Sequence, residues 1–268
     1  MSNFEDIIRS RRSVRTFEKS LLSDSVLDSI DSYIRDIPNP FNIPCTFQLI
    51  KASDYNLDCP VLVNAMYYLL GKVTVQDHFE EAFGFSMQKA LMYIESLGLG
   101  TVFIGGTMDR PAFEKVMGLS DNERMPCISP VGIPAKKMAL RETLMRKGVK
   151  ADNRLPETEL FFDTDFATAL NEQNPVCARA LKMVQRAPSA VNRQPWRIVR
   201  KDGAYHFYEK QTLPSSDRTG DLQKIDLGIA LASFTEVLNE NNTAWTLSVN
   251  DPMIDGQGDL QYCFSIIL

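Results

Sequence analysis

Ile34 to Ile50 reads IRDIPNPFNIPCTFQLI, and Val184 to Val199 reads VQRAPSAVNRQPWRIV. Both run from a helix end through a proline-bounded loop into an apolar stretch, with Pro38 answering to Pro188 and Asn42 to Asn192. A second pair follows in the same order: FSMQKALMYIESLGLGTVF, ending at Phe103, and LGIALASFTEVLNENNTAW, ending at Trp245, with Thr101 matched to Thr243. Alternating helix and strand can share such a pattern by chance. Here, however, the step from Pro38 to Pro188 is 150 residues and that from Thr101 to Thr243 is 142, so order and spacing survive with one small deletion. The chain therefore reads as a duplication, one unit over residues 1–268 made of two pseudo-repeats, about 1–150 and 151–268.

Working outward, each repeat reads as helix, loop, strand, helix, strand. In the first, Ser23 to Ile34 predicts a helix with Ser23 as N-cap and Leu27 and Ile30 facing inward. Thr46 to Ile50 predicts a strand, and Phe83 to Leu97 a buried helix closed by a glycine C-cap at Gly98. Gly98 to Gly106 reads as loop and strand, Ile128 to Val131 as a strand, and Asn3 to Ser10 as a short amphipathic helix. In the second repeat, Cys177 to Arg186 and Ile225 to Asn239 read as helices, and Arg197 to Arg200 and Tyr205 to Tyr208 as strands about a turn at Asp202 and Gly203. Between the repeats, Lys136 to Asn153 is polar and basic and reads as an exposed connection.

A chain of 268 residues that is 44% apolar can bury its own core. Its net charge of -5 disfavours a surface built for nucleic-acid phosphate or anionic lipid, so the expected partners are small molecules. Local basic clusters at Arg9 to Arg15 and Lys136 to Lys150 still leave room for one anion site. Five cysteines without CxxC spacing and two histidines without ligand neighbours suggest neither a disulfide framework nor a metal site, and a reducing cytoplasm is the expected location. The N-terminal stretch lacks the apolar region of a secretion signal, and no segment reaches the roughly 20 apolar residues of a membrane span.

Three segments carry candidate chemistry. Arg11, Arg12, Ser13 and Arg15, after a short helix, suit a phosphate, because guanidinium groups hold phosphate oxygens in bidentate geometry; the same residues could form a solvated basic face. Ala187 to Trp196, APSAVNRQPW, is a loop stiffened by two prolines that offers Ser189, Asn192 and Gln194 to a polar planar ligand, or is an ordinary helix-to-strand turn. In GLGTVFIGG, Gly98 to Gly106, the paired Gly105 and Gly106 let backbone approach a flat ring, or mark only a turn.

Taken together, RRSVRTF, APSAVNRQPW and GLGTVFIGG resemble the FMN-dependent nitroreductase family, and IDLGIALASF, Ile225 to Phe234, is similar to its central helix. The resemblance covers nearly the whole chain. It implies an α+β fold with central sheets flanked by helices, bound FMN, and ping-pong electron transfer from NADH or NADPH to a nitroaromatic, quinone or flavin. One departure is informative. RRSVRTF and GLGTVFIGG lie in the first repeat and the intact APSAVNRQPW in the second, while the first repeat's matching loop has become PNPFNIPC. This division resembles the internally duplicated subfamily, in which one chain imitates the usual homodimer and one of two possible sites keeps its ligands.

The resemblance further implies that Arg11, Arg12 and Ser13 hold the phosphate, that Arg15 approaches the pyrimidine edge of the ring and that the Gly105 N–H, with Gly106 beside it, faces N5. Pro188, Ser189, Ala190 and Asn192 would cover the other side, and Lys137 or Arg141 would add a last phosphate contact. The flavin would carry the chemistry, so no catalytic dyad or triad of side chains is required. The absence of a GxGxxG fingerprint fits a nicotinamide that stacks briefly on the flavin. A fused pair lets a monomer hold a whole site, with further dimerisation left open. The rival readings are a flavin-storing protein without turnover and a scaffold without cofactor.

Overall fold

In the first repeat the chain forms α1 (Phe4–Ser10), α2 (Asp24–Ile34), β1 (Cys45–Lys51), the single turn α3 (Ala52–Tyr55), β2 (Tyr67–Thr74), α4 (Phe79–Ser96), α5 (Arg110–Met117), β3 (Glu123–Arg124) and β4 (Ile128–Val131). Then come α6 (Leu140–Gly148), α7 (Glu157–Leu160), β5 (Phe161–Asp163), α8 (Pro175–Arg186), β6 (Trp196–Lys201), β7 (Ala204–Glu209), α9 (Leu222–Glu240), β8 (Thr246–Ser248) and β9 (Gln261–Ile267). This is a computed structural model that describes residues 4–256 and 258–268, so Asn3, the expected start of the first helix, lies outside the described residues.

Local chemistry accounts for several boundaries. Gly98 takes φ 80°, the left-handed conformation that closes α4. Asn174 caps α8, its Oδ1 accepting from the Val176 and Cys177 N–H groups at 2.9 and 3.3 Å. Ser23 stands at the N-cap of α2, but its hydroxyl makes no cap bond. The strand expected within Gly98 to Gly106 forms only isolated bridges, Thr101 to Ser13, Gly100 to Gly132 and Ile104 to Ile128, because its neighbours are loop and short-strand residues.

The duplication is visible in the sheets. β1 pairs antiparallel with β2 and β2 with β4; β6 pairs antiparallel with β7 and β7 with β9. β5 adds a parallel edge to the second sheet and β8 an antiparallel one. Between the sheets the two long helices α4 and α9 pack on each other, and α9 is buried almost all round, as a helix without a polar face must be. They meet at Gly84 and Gly228, 144 residues apart. The same step relates Gly98 to Asn242, both in the left-handed region (φ 80° and 52°), and a step of 150 relates Asn42 to Asn192 (φ 55° and 59°).

Most of the connection between repeats is exposed, as its polarity suggested, but part of it folds into a helix with an inward face. Residues 140–148 form α6, and Glu142, Met145, Arg146 and Val149, spaced along one helical face, turn inward. Buried Glu142 accepts hydrogen bonds from Arg12 Nη1 (2.8 Å), the Thr16 hydroxyl (2.7 Å) and the Arg15 N–H (3.2 Å). Polar residues face inward here because their partners are polar. No helix among the described residues is long and apolar enough to cross a membrane.

Candidate active site

A cavity of about 420 Å³ lies between the repeats. The first repeat contributes Arg11, Arg12, Ser13 and Arg15 after α1, and the stretch Val102 to Thr107 before α5. The second contributes Pro188 to Asn192 and the start of α9, with Leu222, Ile225, Asp226 and Ile229. The inner face of α6 and the segment after it supply Met145, Arg146, Val149 and Arg154. Arg11, Arg12, Ser13, Arg15, Gly105, Gly106, Pro188, Ser189, Ala190 and Asn192 are thus brought together as expected.

Lys137 and Arg141 are not. Lys137 is exposed and outside the cavity, and Arg141 donates to the carbonyls of Pro60 and Leu62. For Arg141 the pitch of α6 explains this, since position 141 points away when 142 and 146 point in; Lys137 precedes the helix. The basic groups that α6 and the following segment bring to the cavity are Arg146 and Arg154.

Some guanidinium nitrogens are paired and others are not, at times within one side chain. Arg12 is paired with Glu142 at 2.8 Å, Arg146 with Asp152, and Arg11 more loosely with Glu95 at 3.5 Å. Arg11 Nη2, Arg15 Nε and Arg154 Nε are buried with no hydrogen-bond partner. Burial lowers the pKa of Arg154, and the nearby cations Arg11, Arg186 and Arg146 lower it further against the opposing pull of Asp152. Burial likewise lowers that of Arg15, with Glu142 opposing and Arg146 adding. Arginines keep their charge under such shifts, so the cavity wall holds crowded positive charge with unused donors. An anion seated there would relieve both.

The loop Pro188 to Gln194 is held by its neighbours. Asn192 Nδ2 donates to the carbonyls of Lys150 (2.8 Å) and Asn153 (3.0 Å), and its Oδ1 accepts from Arg154 Nη1 at 3.4 Å. Its amide therefore ties the loop to the connection between repeats. The Gln194 N–H donates to Ser189 Oγ, and the Ala190 N–H reaches both oxygens of Asp226 at 3.1 and 3.0 Å. Between these anchors Val191, a β-branched residue, is kept at φ 42°, ψ 31°.

Arg146, Arg154 and Asp226 were missed at the level of sequence. Asp226 had a signal, an acid inside the apolar run IDLGIALASF. It is fully buried, and burial first, then Asp221 and Glu209, push its carboxyl well above the ordinary range against the Ala190 N–H. Arg154 had none, because its partners are distant in the chain.

The repeat relation also defines a position opposite the cavity. By the steps above, the counterparts of the cavity residues Val191, Leu222 and Ile225 are Phe41, His78 and Glu81. Phe41 stacks on His78 (5.4 Å between centroids) and meets Phe264 edge-on (5.8 Å). Glu81 lies 3.5 Å from His78, and buried Glu209 adds a further acid to its electrostatic surroundings. Two rings and a carboxyl group thus stand at the positions that apolar Val191, Leu222 and Ile225 hold in the cavity wall.

Residues 3–237 match the model of the family described as "Putative TM nitroreductase". No curated protein sequence matches the chain. The crystal structure of a "putative nitroreductase" from Thermotoga maritima has the same fold, with a TM-score of 0.66 at 18% identity over 100% of this chain and 94% of that one. An FMN-dependent nitroreductase from Clostridium difficile aligns with 55% of this chain and 98% of its own at 17% identity and a TM-score of 0.42. Iodotyrosine deiodinase bound to FMN and 3-iodo-L-tyrosine aligns with 51% and 92% at 20% identity and a TM-score of 0.40.

Proposed function

Because the chain belongs to the nitroreductase family matched over residues 3–237, we propose that it is an FMN-dependent oxidoreductase that passes electrons from NADH or NADPH to a small acceptor such as a nitroaromatic or quinone. The observation that carries this reading is the set of buried, unpartnered guanidinium atoms of Arg11, Arg15 and Arg154 on one wall of the cavity. A phosphate dianion matches their charge and their free donors, and such charge-assisted bonds are the strong ones. The remaining walls suit a flat ring, with apolar Leu213, Leu222, Ile225 and Ile229, and Gly105 and Gly106 presenting backbone without side chains.

Arg11, Arg12, Ser13 and Arg154 would hold the phosphate end, and the ring would lie between the Phe103 to Gly106 stretch and the Pro188 to Asn192 loop. Bound FMN supplies the two-electron chemistry. The protein's residues orient it, exclude water through the α9 wall, and neutralise its charge. At the opposite position Glu81 would repel an anion and Phe41 takes up the space, so we assign one FMN to each chain. The five cysteines are unpaired, as a reducing compartment would leave them, and we place the protein in the cytoplasm.

The test is an FMN titration of stripped protein followed by NAD(P)H oxidation with a quinone and with a nitroaromatic. Saturable flavin uptake and acceptor-dependent oxidation with parallel double-reciprocal plots are expected. Flavin uptake without oxidation supports a storage role instead. An unchanged flavin spectrum throughout the titration overturns the cofactor assignment.

A further inference from the structure

Arg110 opens α5 against two physical preferences. Its side chain is only 10% exposed, although arginine is rarely buried, and it stands at the helix end where free N–H groups already make the potential positive. Carbonyl groups hold it there. Nη1 donates to Met125 O, and Nη2 to Gly105 O and, at 3.0 Å, to Pro126 O, while Glu114 lies one turn along at 3.6 Å.

The direction of one of those carbonyls matters for the cavity. Gly105 C=O points at Arg110, and no peptide among the described residues is cis. In a planar trans peptide the N–H of the next residue points the opposite way, so the Gly106 N–H is aimed away from Arg110. Both glycines line the cavity, and a Cβ built on Gly106 would meet nothing within 4 Å. The guanidinium therefore sits behind the peptide and polarises it, which makes the N–H on the other side a stronger donor.

We infer that Arg110 is a positioning residue that fixes the Gly105–Gly106 peptide with the Gly106 N–H toward the bound ring and raises the reduction potential of that ring. The inference rests on the FMN reading above. Two electrons and one proton taken up by the ring leave it with one negative charge, which a strengthened donor and the cation behind it stabilise relative to the neutral oxidised form. No bond within the protein forms or breaks.

The test uses FMN-loaded full-length protein, with affinity for oxidised FMN measured by fluorescence and midpoint potential by dye equilibration. Arg110→Gln is expected to keep affinity for oxidised FMN within a few fold and to lose about tenfold in preference for reduced FMN, a fall of about 30 mV for a two-electron couple. Glu114→Gln removes the carboxylate that Arg110 shares with Arg218, which lies 2.8 Å from it, and is expected to move the potential the other way, a direction that general loosening of the fold does not produce. If Arg110→Gln fails to fold, Glu114→Gln decides alone. An unchanged potential in either variant that binds FMN overturns the proposal and leaves the cofactor assignment standing. A wild-type protein that takes up no FMN overturns that assignment, and the proposal with it.

Discussion

Gly84 and Gly228 admit the two central helices to reciprocal contact: a Cβ on Gly84 would lie 2.1 Å from the Ile225 carbonyl oxygen, and a Cβ on Gly228 2.1 Å from that of Glu81. The obstructing atoms are backbone, so no side chain can swing aside. Gly84→Ala and Gly228→Ala are each expected to destabilise the protein by about 1–3 kcal/mol or more, the usual range for overpacking. The double variant should lose less than the sum, since separating the helices once relieves both clashes. Denaturant unfolding measures this, and an unshifted midpoint for either single variant would show that the crossing is looser than described.

Glu209 predicts a pH dependence. It ends β7 fully buried with neither carboxylate oxygen hydrogen-bonded. Burial, reinforced by Asp221 and opposed by Lys224, pushes its carboxyl from 4.5 up to about 7. Between those values the folded state keeps a proton that the unfolded chain has lost, so this group's contribution declines as pH rises through the window and is fully preserved below it. Glu209→Gln should therefore be more stable than wild type at pH 8, by on the order of 1–3 kcal/mol, and close to it at pH 4. Parallel stability curves for the two proteins would rule this out.

The phosphate end of the site is tested by four arginine and lysine variants. Arg11→Ala and Arg154→Ala remove guanidinium groups of residues that line the cavity and should weaken FMN by about 1.5–3 kcal/mol each, roughly 10- to 150-fold. Arg141→Ala, whose guanidinium is engaged by Pro60 and Leu62 carbonyls, and Lys147→Ala, which is exposed, should leave affinity nearly unchanged. Fluorescence titration separates the two pairs, and equal losses across all four would mean that the phosphate lies elsewhere.

What was legible in the sequence follows from how local each signal is. The Pro188 to Asn192 loop could be read because proline geometry and the left-handed preference of asparagine act within a few residues, and the matching PNPFN loop exposed the duplication. The arginines after α1 were equally compact. Arg154 was hidden because it matters through Arg11, Arg186 and Asn192, residues brought near only by folding. The exposure of the connection could be read from its polarity, but not the inward face of α6, where Glu142 is buried by its bonds to Arg12, Arg15 and Thr16. Choosing Arg146 over Arg141 requires the helical phase, which composition does not carry. Asp226 was within reach, as an acid in an apolar helix calls for a buried partner, here the Ala190 N–H.

On the proposed function, the two repeats form one complete flavin site within one polypeptide, and Phe41, His78 and Glu81 close the opposite position. The direct measurement is the ratio of FMN to chain after saturation and removal of free flavin, with flavin counted by absorbance after release and the assembly counted by native mass spectrometry. One FMN per chain is expected, in a monomer or in any larger assembly. Two flavins per chain, or one flavin shared by two chains, would contradict it.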